Sequence, residues 1–172
     1  MRIPAVTPED VRPYLKTGPG ELDGALVSRV GRLLACAPIR PQCVWKRVDP
    51  PSPWSDGVAY LVCGTIGAEF DAWHRRLSVT SASDAFLAQA IGAAAVEAVM
   101  DAAEREILAT LPEGTALKPR WSPGYGARPL AMSAEILDRL DATRRIGVAL
   151  TESLLLVPSK SVTAVVEVIG HG

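Results

Sequence analysis

Cysteine and histidine are scarce in this chain, with three cysteines and two histidines among 172 residues. Cys36, Cys43 and Cys63 form no Cys-x-x-Cys pair, so the sequence encodes neither a disulfide framework nor a zinc or iron–sulfur site. All three are expected to be small packing residues, because free cysteine is commonly buried. His74 is expected on a helix surface, and His171 lies in a terminus expected to fray. Neither sign of charge dominates: Lys and Arg number 18 against 19 Asp and Glu, for a net charge of -1. That balance leaves no electrostatic footprint for nucleic acid or an anionic membrane. Long apolar runs are missing as well. The longest uncharged stretch of helical character, Ala85 to Val96, falls short of a bilayer span, and Met1-Arg2-Ile3-Pro4 lacks the apolar core of a signal peptide. A cytoplasmic protein is the expectation.

The length suits one domain, residues 1–172, with a sizeable core. Thr7-Pro8-Glu9-Asp10 opens a short helix to about Leu15, with a capping hydroxyl, a proline at the first helical position and acids in the first turn. After Thr17-Gly18-Pro19-Gly20, the residues Leu22, Leu26, Val30, Leu33 and Leu34 recur at helical spacing until Pro38. Cys43 to Val48 reads as a strand, Gly57 to Ile66 as a buried strand, and Gly67 opens a helix through about Leu77. Ser83 to Leu111 reads as a long helix capped by Ser83, with a buried first half and a surface second half. Leu117 to Ser122 is predicted as a strand, Ser133 to Leu140 as a helix, and Ile146 to Leu150 as a strand. Ser161 to Ile169, nearly all β-branched, is predicted as a central strand. This irregular alternation indicates α+β, a twisted mixed or antiparallel sheet flanked by helices.

The chemistry concentrates in Arg120-Trp121-Ser122-Pro123-Gly124-Tyr125. An arginine grips a carboxylate through two parallel hydrogen bonds. Pro123-Gly124 sets a turn whose bare glycine lets a ligand come close, and Tyr125 presents a flat ring with a polar tip. By themselves these residues also read as a polar strand end entering a proline-glycine turn. Glu97, the first charge after the apolar run, has two readings as well. It is either a site carboxylate that a cation or ligand amine must meet, or the start of a solvated acidic stripe with Asp101 and Glu104.

Taken with Leu150-Thr151-Glu152-Ser153 and Pro158-Ser159-Lys160-Ser161-Val162, the Arg120 element resembles the reductive activation domain of cobalamin-dependent methionine synthase. The resemblance is firm over 118–165, fainter over 60–99, and absent from 1–55. It implies S-adenosylmethionine as ligand, with Arg120 on the methionyl carboxylate, Ser122 and Gly124 contributing close backbone contacts, Glu97 facing the amino group, and Tyr125 acting near the reactive face of a corrin. Thr151, Glu152 and Ser153 either brace this wall or cap a strand end. Where some members carry a second helix carboxylate, this chain has Ala93. No Asp-x-His-x-x-Gly element is present to ligate cobalt. The implied role is therefore reactivation in trans: cobalamin sits on a partner, a corrinoid-binding methionine synthase lacking its own activation module, and a flavodoxin-like or other low-potential donor supplies the electron. A docking subunit that holds the partner in a reducible conformation without S-adenosylmethionine is the alternative. On this reading Arg120 sits at a surface cleft, where its replacement would leave the fold intact.

Overall fold

The β-branched run near the carboxyl end forms the strand on which the fold is assembled. In a computed structural model that describes residues 3–15, 23–126 and 128–170, this strand, β6 (Ser161–Ile169), lies inside a four-stranded sheet. The order is β1 (Gln42–Val48), β2 (Ala59–Thr65), β6, β3 (Ala116–Leu117), and every pairing is antiparallel. β2 is buried along its whole length, because helices cover both faces of the sheet. The two-residue period of the strands divides the core. Val62, Ala164 and Val166 meet Met100, Ala103 and Ile107 of α4 (Ala82–Ala109). Leu61, Cys63 and Val165 meet Ile136, Leu137 and Leu140 of α5 (Met132–Leu140) and Ala142 of α6 (Ala142–Ile146). The fold is α+β.

Three further helices surround the amino half of α4: α1 (Pro8–Val11), α2 (Gly24–Cys36) and α3 (Ala68–Thr80). They supply Val11, Val30, Leu33, Phe70 and Trp73 to a cluster with Leu87, Ile91 and Ala95. Burial on nearly all sides explains why α4 carries no charge from Ala85 through Val96. By length and composition alone α4 could cross a membrane, but 67% of its most apolar window is buried inside the protein, as in a core helix. At Gly92 the helix comes so close to its neighbours that an added Cβ would stand 2.7 Å from Phe70 Cε1 and 2.8 Å from Lys160 Cε. The segment entering β6 is tied down on both sides of this contact. Asp71 of α3 accepts from the Ser159 N–H and hydroxyl at 2.7 Å each, and Lys160 Nζ donates to the Gln89 carbonyl at 3.3 Å.

Several expectations are corrected. The cap of α4 is Ser81, whose hydroxyl accepts from the Asp84 N–H at 3.3 Å, not Ser83, whose hydroxyl instead accepts from Arg29 Nη2 at 2.6 Å. The carboxyl half of α4 is not simply a surface helix, since Ala102, Ala103 and Ile107 are buried. The strand expected over 117–122 shrinks to β3: the Lys118 N–H still donates to the Glu167 carbonyl at 2.9 Å, but pairing resumes at Trp121 one residue out of register, so the segment with Pro119 and Arg120 bulges out of the ladder. The strand expected from Ile146 becomes the end of α6, which closes at Gly147 with φ of +68°, followed by a hairpin of β4 (Ala149–Leu150) and β5 (Leu156–Val157). The first helix keeps its Thr7–Asp10 capping box but tightens into a 3-10 turn over Arg12–Tyr14. α3 runs to Thr80, past Leu77. Cys63 is buried as expected and Cys43 partly so, but Cys36 is exposed. Burial pushes both the Cys43 and the Cys63 thiols up to about 12, so they stay protonated at neutral pH. His74 is half-buried rather than on an open surface. The Thr17–Gly20 turn, Leu22 and His171 lie outside the described residues.

Candidate functional site

The site begins where β3 leaves the sheet. β6 has nine residues, but along its outer edge β3 and the bridge at Trp121 pair only as far as Val165. Val165 exchanges both of its backbone hydrogen bonds with Trp121, at 2.8 and 3.1 Å. In an antiparallel ladder this direction repeats every second residue, so the N–H and C=O of Thr163 point to the same outer edge. Lys160 shows the opposite parity, its carbonyl accepting from the Ile66 N–H beyond the end of β2. Among the described residues Thr163 has no backbone partner on its outer side. The free edge therefore offers a donor and an acceptor to an occupant of the adjoining cavity.

That cavity has a volume of about 470 Å³ and lies between α4, the Arg120–Tyr125 loop, the start of α5, and β6. Its size is that of a small-molecule site. Ser161, Val162 and Thr163 form its floor, where the Thr163 hydroxyl lies 3.1 Å from that of Ser133 and both side chains are buried. Ser161 Oγ donates to Thr65 Oγ1 at 2.9 Å. Pairing with β6 dictates which way the loop residues face. Trp121 packs on the α5 side of the sheet, and its neighbour Arg120 turns to α4. Pro123 is buried, and Gly124 holds φ of +92°, where a Cβ would stand 3.1 Å from Leu130 Cδ1. The Gly124 N–H donates to the Arg128 carbonyl at 2.8 Å, closing the turn. Tyr125 stands at the mouth, 74% exposed, and the Arg128 guanidinium lies 4.1 Å from the Trp121 ring centroid.

Arg120 meets three carboxylates of α4. Nη2 pairs with Glu97, while Nη1 donates to Asp101 at 2.8 Å and to Glu104 at 2.6 Å. These acids stand at i, i+4 and i+7, hence on one helix face. Burial of the guanidinium works against its charge, but the bonds to Glu104, Glu97 and Asp101 outweigh it, and Arg120 holds its proton more firmly than a free arginine. Of the three acids, Glu97 lines the cavity, beside Arg120. Both readings of Glu97 thus hold a part of the truth: it belongs to an acidic stripe, and that stripe is organised around a cation. Among the described residues, Nε of Arg120 and the second hydrogen of Nη2 take no acceptor. Nε and the remaining Nη2 hydrogen are therefore available to a ligand carboxylate while Nη1 stays occupied.

Glu97, Arg120, Ser122 and Tyr125 all line one cavity, and Gly124 shapes its turn. Thr151, Glu152 and Ser153 do not join them. They occupy the exposed β4–β5 turn, where Thr151 Oγ1 accepts from the Leu155 N–H at 3.1 Å and lies 2.9 Å from Ser153 Oγ, and the hairpin reaches the cavity through Leu156. The capped strand end is the reading that fits. Sequence reasoning missed Ser133, Thr163 and the hold of Asp101 and Glu104 on Arg120. The last of these had a signal in the i, i+4, i+7 spacing. It also missed Tyr14, whose phenol pKa is raised by burial and then by the charges of Glu97 and Asp101, which brings the amino-terminal segment beside this cluster.

Glu97→Gln is expected to leave stability within about 0.5 kcal/mol, because Glu97 is partly exposed and Arg120 keeps two acids. It should weaken binding of an amine-bearing ligand by about 1–2 kcal/mol. Unchanged affinity in calorimetry would remove Glu97 from ligand recognition.

No protein-family model matches the sequence, and no curated protein matches it. A solved crystal structure of the MetH reactivation domain bound to AdoHcy is similar in fold, with a TM-score of 0.62 over 94% of this chain and 76% of that one, at 15% identity.

Proposed function

We propose that this chain binds S-adenosylmethionine in the cavity beside β6 and serves the reactivation of a methionine synthase whose cobalamin is held by a partner protein. One observation carries the reading: Arg120 and Glu97 lie side by side on one cavity wall, with one edge of the guanidinium open. A cation and an anion so placed complement the zwitterionic head of an α-amino acid, the carboxylate on Arg120 and the ammonium on Glu97. The similar fold of a reactivation domain crystallised with AdoHcy supports the same ligand class. A cavity of about 470 Å³ has room for a nucleoside joined to an amino acid. At its floor, the free peptide edge of Thr163 presents a donor and an acceptor suited to the adenine.

When bound, S-adenosylmethionine would supply an electrophilic methyl group to a cobalt(I) corrinoid of the partner, formed from cobalt(II) by one electron from the low-potential donor, and would leave as S-adenosylhomocysteine. This chain orients and shields. The Arg120–Glu97 pair fixes the amino-acid head, Ser122 and the Pro123–Gly124 turn bring backbone close to the ligand, and the floor excludes water from one side. Tyr125, at the open mouth, would meet the docked partner. Leu130, which lines the same cavity, is also exposed, as suits docking in a cytoplasmic assembly with the corrinoid protein and a flavodoxin-like or other low-potential donor.

The chain alone is expected not to turn over. Added with a low-potential reductant and S-adenosylmethionine to a cobalt(II) methionine synthase lacking its activation module, it should yield methylcobalamin as the cobalt(II) absorption band is lost. Tyr125→Phe should slow this step more than it weakens ligand binding. Reactivation that proceeds equally well without S-adenosylmethionine would favour the non-catalytic docking subunit and remove the methyl-transfer role.

A further inference from the structure

Asp101 and Glu104 hold Arg120 without lining the cavity, and their position says what they do. We propose that these two acids are positioning residues for ligand binding, fixing the guanidinium through Nη1 so that its Nε–Nη2 edge is offered to the carboxylate of the ligand. The inference rests on the reading that the cavity binds an S-adenosylmethionine-type ligand through Arg120.

A free arginine side chain samples many rotamers, and a ligand that has to order it binds more weakly for that reason. Here the ordering is already done. The two Nη1 hydrogens diverge in the plane of the guanidinium, so acceptors at 2.8 Å and 2.6 Å on both fix the tilt of the plane and its rotation. Both acceptors stand on α4, whose carboxyl half is anchored in the core by Ala103 and Ile107, and a rigid element positions a group better than a loop does. The loop that carries Arg120 is fixed independently, by Trp121 on Val165. Glu97, the third acid, can serve Arg120 and a ligand ammonium together, since a carboxylate has lone pairs for both. The division of labour follows: Glu97 touches the ligand, and Asp101 and Glu104 act through Arg120. Of the two, the Glu104 side chain is 25% exposed and that of Asp101 53%, so the Glu104 contact is the less screened and should matter more.

Calorimetry of the full chain with two probes tests this. AdoHcy carries the amino-acid head; 5′-methylthioadenosine has the same adenosine and thioether but no head. In Glu104→Ala, AdoHcy affinity is expected to fall about five- to tenfold, less than the loss of a charge-assisted bond to the ligand itself because Asp101 still holds Nη1, with 5′-methylthioadenosine changed by less than about twofold. Glu104→Gln, which keeps an acceptor oxygen at the same reach, should regain most of the loss, and Asp101→Ala should show the same pattern more weakly. Thermal melts would verify that each variant is folded. Equal losses for the two probes, no loss for either, or a Gln variant as poor as the Ala variant would overturn the positioning role. If the wild type prefers AdoHcy but Glu104→Ala keeps that preference, the inference falls alone; if the wild type binds both probes equally well, the head is not read and the inference falls with the role given to Arg120 and Glu97. If it binds neither, the inference falls together with the proposed function.

Discussion

Replacing Arg120 by alanine is expected to lower stability by about 2 kcal/mol and to weaken S-adenosylmethionine binding by about 1.5–3 kcal/mol. The loss of binding follows from the missing charge-assisted pair. The loss of stability does not follow from a surface cleft, where the sequence alone would leave the fold intact. It follows from the three carboxylates of α4 whose mutual repulsion Arg120 offsets: without it, Glu97, Asp101 and Glu104 stand as like charges one turn apart with no counter-ion. Their partial exposure holds the cost well below that of a fully buried orphan charge. Urea unfolding of Arg120→Ala in the wild-type background and in Glu97→Gln/Asp101→Asn/Glu104→Gln separates the two effects. The triple replacement should recover most of the lost stability and none of the lost affinity. If Arg120→Ala is as stable as wild type, the acids are solvated well enough to need no cation.

Gly92→Ala is expected to destabilise by about 1–3 kcal/mol, against the usual sense of that exchange. Alanine ordinarily favours a helix interior over glycine by up to about 1 kcal/mol. At this position the new Cβ would stand 2.7 Å from a ring carbon of Phe70, which is 1% exposed and held in the core, so overpacking wins. The second close neighbour, Lys160 Cε at 2.8 Å, belongs to the segment that enters β6. Pushing α4 from it would move Glu97 relative to Ser161, both of which line the cavity. Ligand affinity should therefore fall together with stability. A variant more stable than wild type in urea would mean that the Phe70 ring has room to turn.

The elements best legible in the sequence were those whose burial is the same on every side or on every second residue. β2 is covered all round and the first half of α4 on nearly all sides, so their apolar runs read directly; β6 matches its β-branched run over Ser161–Ile169. Thr7 and Gly67 announced helix starts through local chemistry alone. The places that misread are those where a neighbour decides. A one-residue slip of register against β6 ends β3 before Trp121, and α6 takes the residues that end at Ile146 because they fold onto β1 and α5 rather than extend.

The candidate site divides the same way. Sequence by itself determined which residue types stand at the candidate site, because what an arginine fork, a bare glycine and a tyrosine ring at 120, 124 and 125 can offer follows from side-chain type and backbone freedom, and because i, i+4 and i+7 must share a helix face whatever the fold. Only the tertiary structure decided how they are placed together. The antiparallel register brings Arg120 to α4, the early departure of β3 leaves the edge of Thr163 open, and the packing of α5 sets Ser133 over that edge. These are contacts between residues distant in the chain. No local pattern encodes them, because each depends on where two separately formed elements come to rest against a common core.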